Sequence, residues 1–588
     1  MLFLLQHVLS LLGIAAVALA VGLPITRRLG CAGLLERATW GVTLGLLLFA
    51  QALFLLGALG LLRTGWIVVA LLVAGLFGGR ELWALAGEAS TAVANGGRRS
   101  WLGCGIGLAL AAPFALSALY PPHAWDETLY HLVFARAFAE SGSMPFIAHL
   151  RVPVFPPLGE LLDAGVLVLA DDISTHWISW LATLATAGLL AVWPRRDAPS
   201  GAGAVAAALH LGTPMVVYLA GVAYVDPLLA LWVTAALAAW RKAIDEDSRR
   251  WRLVAGACLG SAASVKYLAL FFMAWLALEA LLLARGTARR RLGDAWELAA
   301  AAAATSLPAY LRIVWWTGNP LFPFYPQLFG MSDWAYEAVP APANSHRVID
   351  ALALPWRSVF ARASVGEMPP LSPWWLIGLG ILLVGAWRVR AWRRVLAMGA
   401  AYLLVVPPNA RYLLAILPVT ALAGVSILFA LAGPRALSRR ALAAICTALL
   451  LPAVAYAGWL CARRGPLPLD RAAREAFLER QVPGYRAVEF LNRALGASYT
   501  AYGLEMEPVA YHARGVWLGD WTGPARYDRI LPAFTDAAAL SERLRSLGAD
   551  HLVLRRDAPP LPPGAIGSGA LRCVYDDGEF RVFELGAR

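Results

Sequence analysis

The sequence predicts a polytopic α-helical membrane protein of about fourteen spans, ending in a small soluble α/β domain. Three observations predict it. Of 588 residues, 59% are apolar and 15% charged, with a mean hydropathy of +0.61, whereas about 25% of an average soluble domain is charged. The apolar residues fall in nearly charge-free stretches of about 18 to 22, enough at about 1.5 Å per residue to cross a hydrocarbon core about 30 Å thick. After Leu460 the character changes. Arg463-Arg464, Pro466, Pro468 and Asp470 lead into ordinary soluble composition.

The net charge of +12 is not a nucleic-acid signature, because nearly every cation is Arg and the Arg clusters lie in short connections between apolar stretches. They stand at Arg27-Arg28, Arg98-Arg99, Arg195-Arg196, Arg249-Arg250, Arg289 to Arg291, Arg393-Arg394 and Arg439-Arg440. That is a positive-inside pattern, and each cluster marks a cytoplasmic loop. The first stretch, from Leu2 to Pro24, has no basic n-region or small-residue cleavage site and reads as a retained helix. Spans follow near 3–25, 38–60, 65–80, 101–120, 173–193, 201–219, 222–240, 252–266, 267–284, 294–316, 373–387, 394–409, 411–432 and 441–461. An even count puts both termini on the outer face, with two long insertions, 121–172 and 317–372, on that same side. The segment 155–170 opens on Pro156-Pro157 and carries Glu160 and Asp163, which suits a re-entrant or interfacial helix. The domains expected are 1–461, spanning the membrane with its outer loops, and 462–588, an outer α/β domain. In the latter, Asp536 to Leu547 has helical spacing, His551 to Leu554 reads as a strand, and Cys573 to Leu585 as a strand pair. Six cysteines without CxxC or zinc-like His spacing indicate neither a disulfide framework nor a structural metal.

Chemistry concentrates at Pro121-Pro122-His123-Ala124-Trp125-Asp126-Glu127-Thr128-Leu129-Tyr130-His131, where a span leaves the membrane. Carboxylates at that depth are expensive unless used. On one reading Asp126 or Glu127 is a general base or metal ligand, and Trp125, Tyr130 and His131 line a substrate pocket. On the other, Asp126 caps the following amphipathic helix and Glu127 is a favourable first-turn charge. Asp226 precedes Pro227 at the outer end of a later hairpin, as a helix cap or a second carboxylate of the same cavity. Lys266 stands between two apolar halves, either snorkelling or holding a lipid phosphate. Arg411, beside Tyr412, breaks the charge rule and reads as an anion ligand or as part of an aromatic belt. Asn319, in the aromatic and proline-rich run from Trp315 to Pro326, is a candidate donor to a sugar or phosphate.

The acidic loop at Trp125-Asp126-Glu127, the later Asp226, Ser264-Val265-Lys266-Tyr267, Gly318-Asn319-Pro320, Arg411-Tyr412-Leu413-Leu414 and the outer C-terminal domain resemble, in order and sidedness, the GT-C superfamily. That superfamily of membrane glycosyltransferases includes oligosaccharyltransferases, protein O-mannosyltransferases and the bacterial lipid A aminoarabinose transferase. The resemblance spans about residues 100 to 588, and one departure is that three spans precede the one leading into the acidic loop. It implies transfer of a sugar from a polyprenyl-phosphate-linked donor to a lipid, glycan or protein acceptor. The enzyme would sit in the bacterial inner membrane with its site facing the periplasm. It implies Asp126, with Glu127 beside it, as base or ligand of a divalent ion that Asp226 would share. Lys266, Arg411 or the ion would meet the departing phosphate. The alternative class is a multispan transporter or flippase of a lipid-linked or anionic substrate, for which matching broken helices in two halves are expected and none is seen.

Overall fold

A computed structural model describes residues 2–96, 112, 114–194, 198–283, 286–330, 332–334, 347–366, 368–385, 387, 389, 392–433, 438–567 and 569–586. The chain divides into two compact units: residues 1–120, 156–309 and 340–466 form one, and 121–155, 310–339 and 467–588 the other. The predicted loops are thus divided, with 121–155 and 310–339 grouped with the C-terminal domain and 156–172 and 340–372 with the helices.

The first unit is helical. Leu2–Arg28, Leu34–Ala58 and Thr64–Asn95 open it, and glycine lets them touch backbone to backbone. A Cβ on Gly45 would lie 1.7 Å from the carbonyl oxygen of Ala18, and one on Gly78 equally close to that of Ala20. Lipid supplies no hydrophobic drive between helices, so such small-residue contacts hold them by van der Waals packing. Asp226–Glu246 is the most enclosed of the long helices, with 83% of its apolar window buried.

Among the described residues six helices are long and apolar enough to cross a membrane, or seven counting Ala202–Leu211 with Pro214–Ala220, which bend by 69°. Four shorter apolar helices, His176–Ala191, Ala269–Leu282, Trp374–Gly385 and Leu417–Ala432, stand at other predicted spans. Arg249–Ala263 and Arg393–Val405 stand at two more, but their 15 and 13 residues reach only about 20 Å at about 1.5 Å per residue. The predicted span 101–120 lies mostly outside the described residues. The segment predicted as re-entrant holds a helix, Leu158–Leu169, with Glu160 and Asp163 buried.

The second unit is built on a five-stranded mixed sheet. Thr500–Gly503 pairs in parallel with Val516–Leu518 and His551–Arg555. Phe580–Leu585 runs antiparallel between His551–Arg555 and Leu571–Asp576. Leu540 and Leu544, on the helix Ala537–Ser546, share one core with Leu552, Leu554 and Phe583. Asp536 starts that helix by accepting the Ala539 amide at 2.7 Å, and Asp470 starts Arg471–Gln481 by accepting that of Ala473 at 2.8 Å. The small α/β domain predicted at the C-terminus is present, with the helix, strand and strand pair near their predicted positions.

Candidate functional site

In the helical unit Asp226 begins the helix Asp226–Glu246 with Pro227 behind it. Its side chain is 1% exposed and faces two cations. Lys266 Nζ donates to Oδ1 at 2.9 Å, and Arg411 Nε lies 3.6 Å from Oδ2. Lys266 reaches it from the break between Arg249–Ala263 and Ala269–Leu283, where its amide still bonds back to Ala262. Arg411 sits on the 3₁₀ turn Ala410–Ala415, whose start Asn409 secures by accepting the Arg411 amide at 3.0 Å.

Aromatic faces complete the cluster. Lys266 Nζ lies 4.9 Å from the Tyr412 ring centroid, and the Arg411 guanidinium 5.6 Å from that ring and 5.3 Å from Tyr224. The Tyr402 hydroxyl donates to the Tyr412 carbonyl at 2.8 Å, fixing the turn that carries both groups. Lys266 has three N–H donors, one of which bonds to Asp226. Sequence reasoning did not single out Tyr224 or Tyr402. The first stood beside Asp226 in Tyr224-Val225-Asp226, which was the available signal.

In the second unit the acidic motif folds as a π-helical turn, Glu127–His131, a form frequent at functional sites. The two carboxylates differ. Glu127 is fully buried, and its Oε2 accepts the amides of His123 at 2.9 Å and Ala124 at 3.0 Å, which secures the entry to the turn. Asp126 is only half-buried and accepts a hydrogen bond from the Tyr130 hydroxyl at 3.1 Å. Tyr130 packs on His131 at 4.2 Å and on Phe155 at 5.8 Å between ring centroids. His131 is buried, and Trp125 is 57% exposed. Asn319 is buried, and both ends of its amide serve its own loop. Oδ1 accepts from the Leu321 amide and Nδ2 donates to the Phe324 carbonyl, each at 2.8 Å.

Asp126, Glu127, Trp125, Tyr130, His131 and Asn319 thus fall in one compact unit, and Asp226, Lys266, Arg411 and Tyr412 in the other. A divalent ion does not suit Asp226, whose oxygens already face an ammonium and a guanidinium. Among the described residues no three His, Cys, Asp or Glu side chains group as a metal site.

These features define a helical membrane protein with two cations held on one buried carboxylate and a small mixed-sheet domain. Its fold is similar to that of the solved structures of ArnT. ArnT from Cupriavidus metallidurans in the apo state matches 82% of this chain and 98% of its own at a TM-score of 0.54 and 15% identity. The same protein bound to undecaprenyl phosphate matches 83% and 98% at 0.51 and 16%. Residues 155–316 match the family model described as dolichyl-phosphate-mannose-protein mannosyltransferase, which takes in Asp226 and Lys266. Residues 473–562 match a family described as SF2091/S2213. An uncharacterized Shigella flexneri protein, SF2093/S2215, is 43% identical over 56 residues, 10% of this chain, and the chain spans 28% of that relative's length.

Proposed function

We propose that this protein is a membrane glycosyltransferase that moves a sugar from a polyprenyl-phosphate-linked donor to an acceptor, working on the periplasmic face of the bacterial inner membrane. The observation that carries this reading is the Lys266 and Arg411 pair, held on one buried carboxylate among tyrosine rings within apolar helices. An almost wholly apolar cavity of about 520 Å³ lies in the same unit, lined by Leu413, Ile416 and Leu417 from the chain just past Arg411 and by Leu371, Trp375 and Leu404. A cationic site on a chain that next lines an apolar cavity suits a lipid phosphate, head and tail. The dolichyl-phosphate sugar in the matched family's description and the undecaprenyl phosphate bound by the matched ArnT belong to that lipid class.

In the reaction, the acceptor oxygen attacks the anomeric carbon as the bond from that carbon to the phosphate oxygen breaks. The bonding pair leaves with the phosphate, whose added charge Lys266 and Arg411 meet. The acceptor's proton passes to Asp126, the less buried of the two loop carboxylates, which the Tyr130 hydroxyl orients. Glu127, spent on two backbone amides, shapes the turn and takes no proton. No step is routed through a metal ion, because the donor set at Asp226 does not fit one. The test is mass spectrometry of envelope glycans and lipids from cells with and without the protein, and with Asp126→Asn in its place. A glycosylated species lost in both altered strains is expected. An unchanged glycan and lipid profile without the protein refutes transfer and favours transport of an anionic lipid.

A further inference from the structure

The C-terminal domain grips the acidic segment at both ends. At the front, the Tyr511 amide donates to the carbonyl of Thr128, inside the π-helical turn, at 3.0 Å. Arg136 closes the same grip, with Nη1 donating to the Tyr511 carbonyl at 2.5 Å and its guanidinium 5.4 Å from the Tyr511 ring centroid. His123, whose amide Glu127 holds, packs edge-on against Phe477 of the helix Arg471–Gln481 at 5.2 Å.

At the rear, Arg151 Nη2 pairs with Glu507 Oε2 at 2.7 Å, and the Arg151 guanidinium lies 4.8 Å from the Trp521 ring centroid. The other Glu507 oxygen accepts the Trp521 amide at 3.1 Å. The Gly519 amide donates to the His149 carbonyl at 2.8 Å, and the Thr522 hydroxyl donates to the carbonyl of Arg151. Glu507 opens the short turn Glu507–Val509, and Tyr511 stands two residues beyond that turn. One segment of the C-terminal domain therefore fixes both the start and the end of the stretch that carries Asp126. All these contacts lie within the second compact unit.

We infer that the Glu507 and Arg151 ion pair is a positioning device for the transfer reaction, holding the π-helical turn so that Asp126 stands where the acceptor proton must go. This rests on the assignment of Asp126 as base. Neither residue of the pair touches Asp126 in this arrangement; they act through the backbone of 127–151. A base displaced by a fraction of an ångström loses rate while donor binding, carried by Lys266 and Arg411, is untouched.

The experiment uses membranes containing the full chain, with their own acceptors and a titrated extract of their lipid-linked sugars as donor. Glu507→Gln, which removes the charge and keeps the shape, lowers the maximal rate about tenfold, and the donor concentration for half-maximal rate stays within about twofold. Arg151→Ala does the same and Arg151→Lys recovers most of the loss. Hydrogen exchange read on the same proteins shows the amides of 127–132 less protected in Glu507→Gln, while those of the strand His551–Arg555 keep their protection. A maximal rate within about twofold of the parent, a loss expressed in donor requirement, or exchange at 127–132 unchanged overturns the inference. If protection falls across the whole sheet, the pair is merely structural and the inference also fails. Asp126→Asn in the same assay separates the two claims. Full activity there refutes the base, whereas an inactive Asp126→Asn beside an unimpaired Glu507→Gln refutes the positioning device alone.

Discussion

Each unit contains a carboxylate cluster, and each solves the problem of a poorly solvated negative charge differently. In the helical unit Asp226 faces two side-chain cations, the Lys266 ammonium at 2.9 Å and the Arg411 guanidinium at 3.6 Å. In the acidic turn Glu127 accepts two backbone amides, and Asp126 accepts a hydrogen bond from the Tyr130 hydroxyl. The difference divides the labour. In the proposed reaction Asp226 organises positive charge and Asp126 accepts the proton. Adjacent acids of similar chemistry thereby acquire separate roles from their surroundings alone.

The largest effect that breaks this comparison is expected at Asp126. Asp126→Asn keeps the size of the side chain and removes the base, so transfer falls by about 10²- to 10⁴-fold while the protein remains inserted and folded. Envelope glycans followed by mass spectrometry, with a melting curve of the purified protein alongside, check both halves. Full glycan levels refute the assignment. Asp226→Asn is expected to act through stability instead. It leaves Lys266 and Arg411 buried without their counter-charge, at a cost of about 3 to 5 kcal/mol, and the melting midpoint in detergent falls accordingly. An unchanged midpoint shows that the two cations are not held by Asp226.

A third prediction concerns the second unit alone. Asp520 is buried beside Glu507, and burial first, then that neighbouring charge, pushes its carboxyl up to about 7. A carboxyl raised on folding stays protonated in the folded state after the unfolded chain has lost its proton. Its contribution is therefore most favourable at the acid end and is lost as pH rises from about 4 to about 7. Burial pushes His149 down to about 4, the opposite slope below its ordinary value, and Glu507 is itself raised. The clean quantity is therefore the difference between Asp520→Asn and the parent. That difference moves in favour of Asn by up to about 4 kcal/mol between pH 4 and 7 and is flat above. Melting curves at stepped pH measure it, and a pH-independent difference contradicts the buried acid pair.

Much of this was legible in the sequence, and what was not has physical causes. Apolar lengths and Arg-rich connections foretold a helical membrane unit, and alternation foretold the strands from His551 onward. Thr500–Gly503 and Val516–Leu518 escaped notice because four and three residues carry too little periodicity to register. Among the described residues fewer than fourteen helices are long enough to span. The break at Lys266 was read from the sequence, whereas the 69° bend before Pro214, inside the predicted span 201–219, was not. Asp226, Lys266 and Arg411 were read from the sequence as lying near one membrane face, with Asp226 paired to Asp126 and the two cations to a phosphate. The ion pairs of Asp226 with both cations were not readable, because Lys266 lies 40 residues from Asp226 and pairing at that range is a property of helix packing. Asp126 and Glu127 stood together as candidates, and only the hydrogen bonds of Glu127 to His123 and Ala124 tell them apart.

The smaller effects sharpen the contrast between holding donor and holding backbone. Lys266→Ala removes one of two phosphate donors but leaves Arg411 to balance Asp226, so the donor requirement rises about tenfold, equivalent to about 1.4 kcal/mol, with the maximal rate nearly kept. An unchanged requirement removes Lys266 from the phosphate site. Asn319→Ala is the counterpart in the second unit and is expected to have the smallest effect. Its amide was a candidate sugar or phosphate donor from sequence, but Leu321 and Phe324 occupy both ends. Losing those bonds costs about 1 to 2 kcal/mol of stability and leaves the donor requirement where it was. Donor titration on the two alanine variants decides the matter, because a rise for Asn319→Ala equal to that for Lys266→Ala shows that the loop amide turns to the ligand when donor binds.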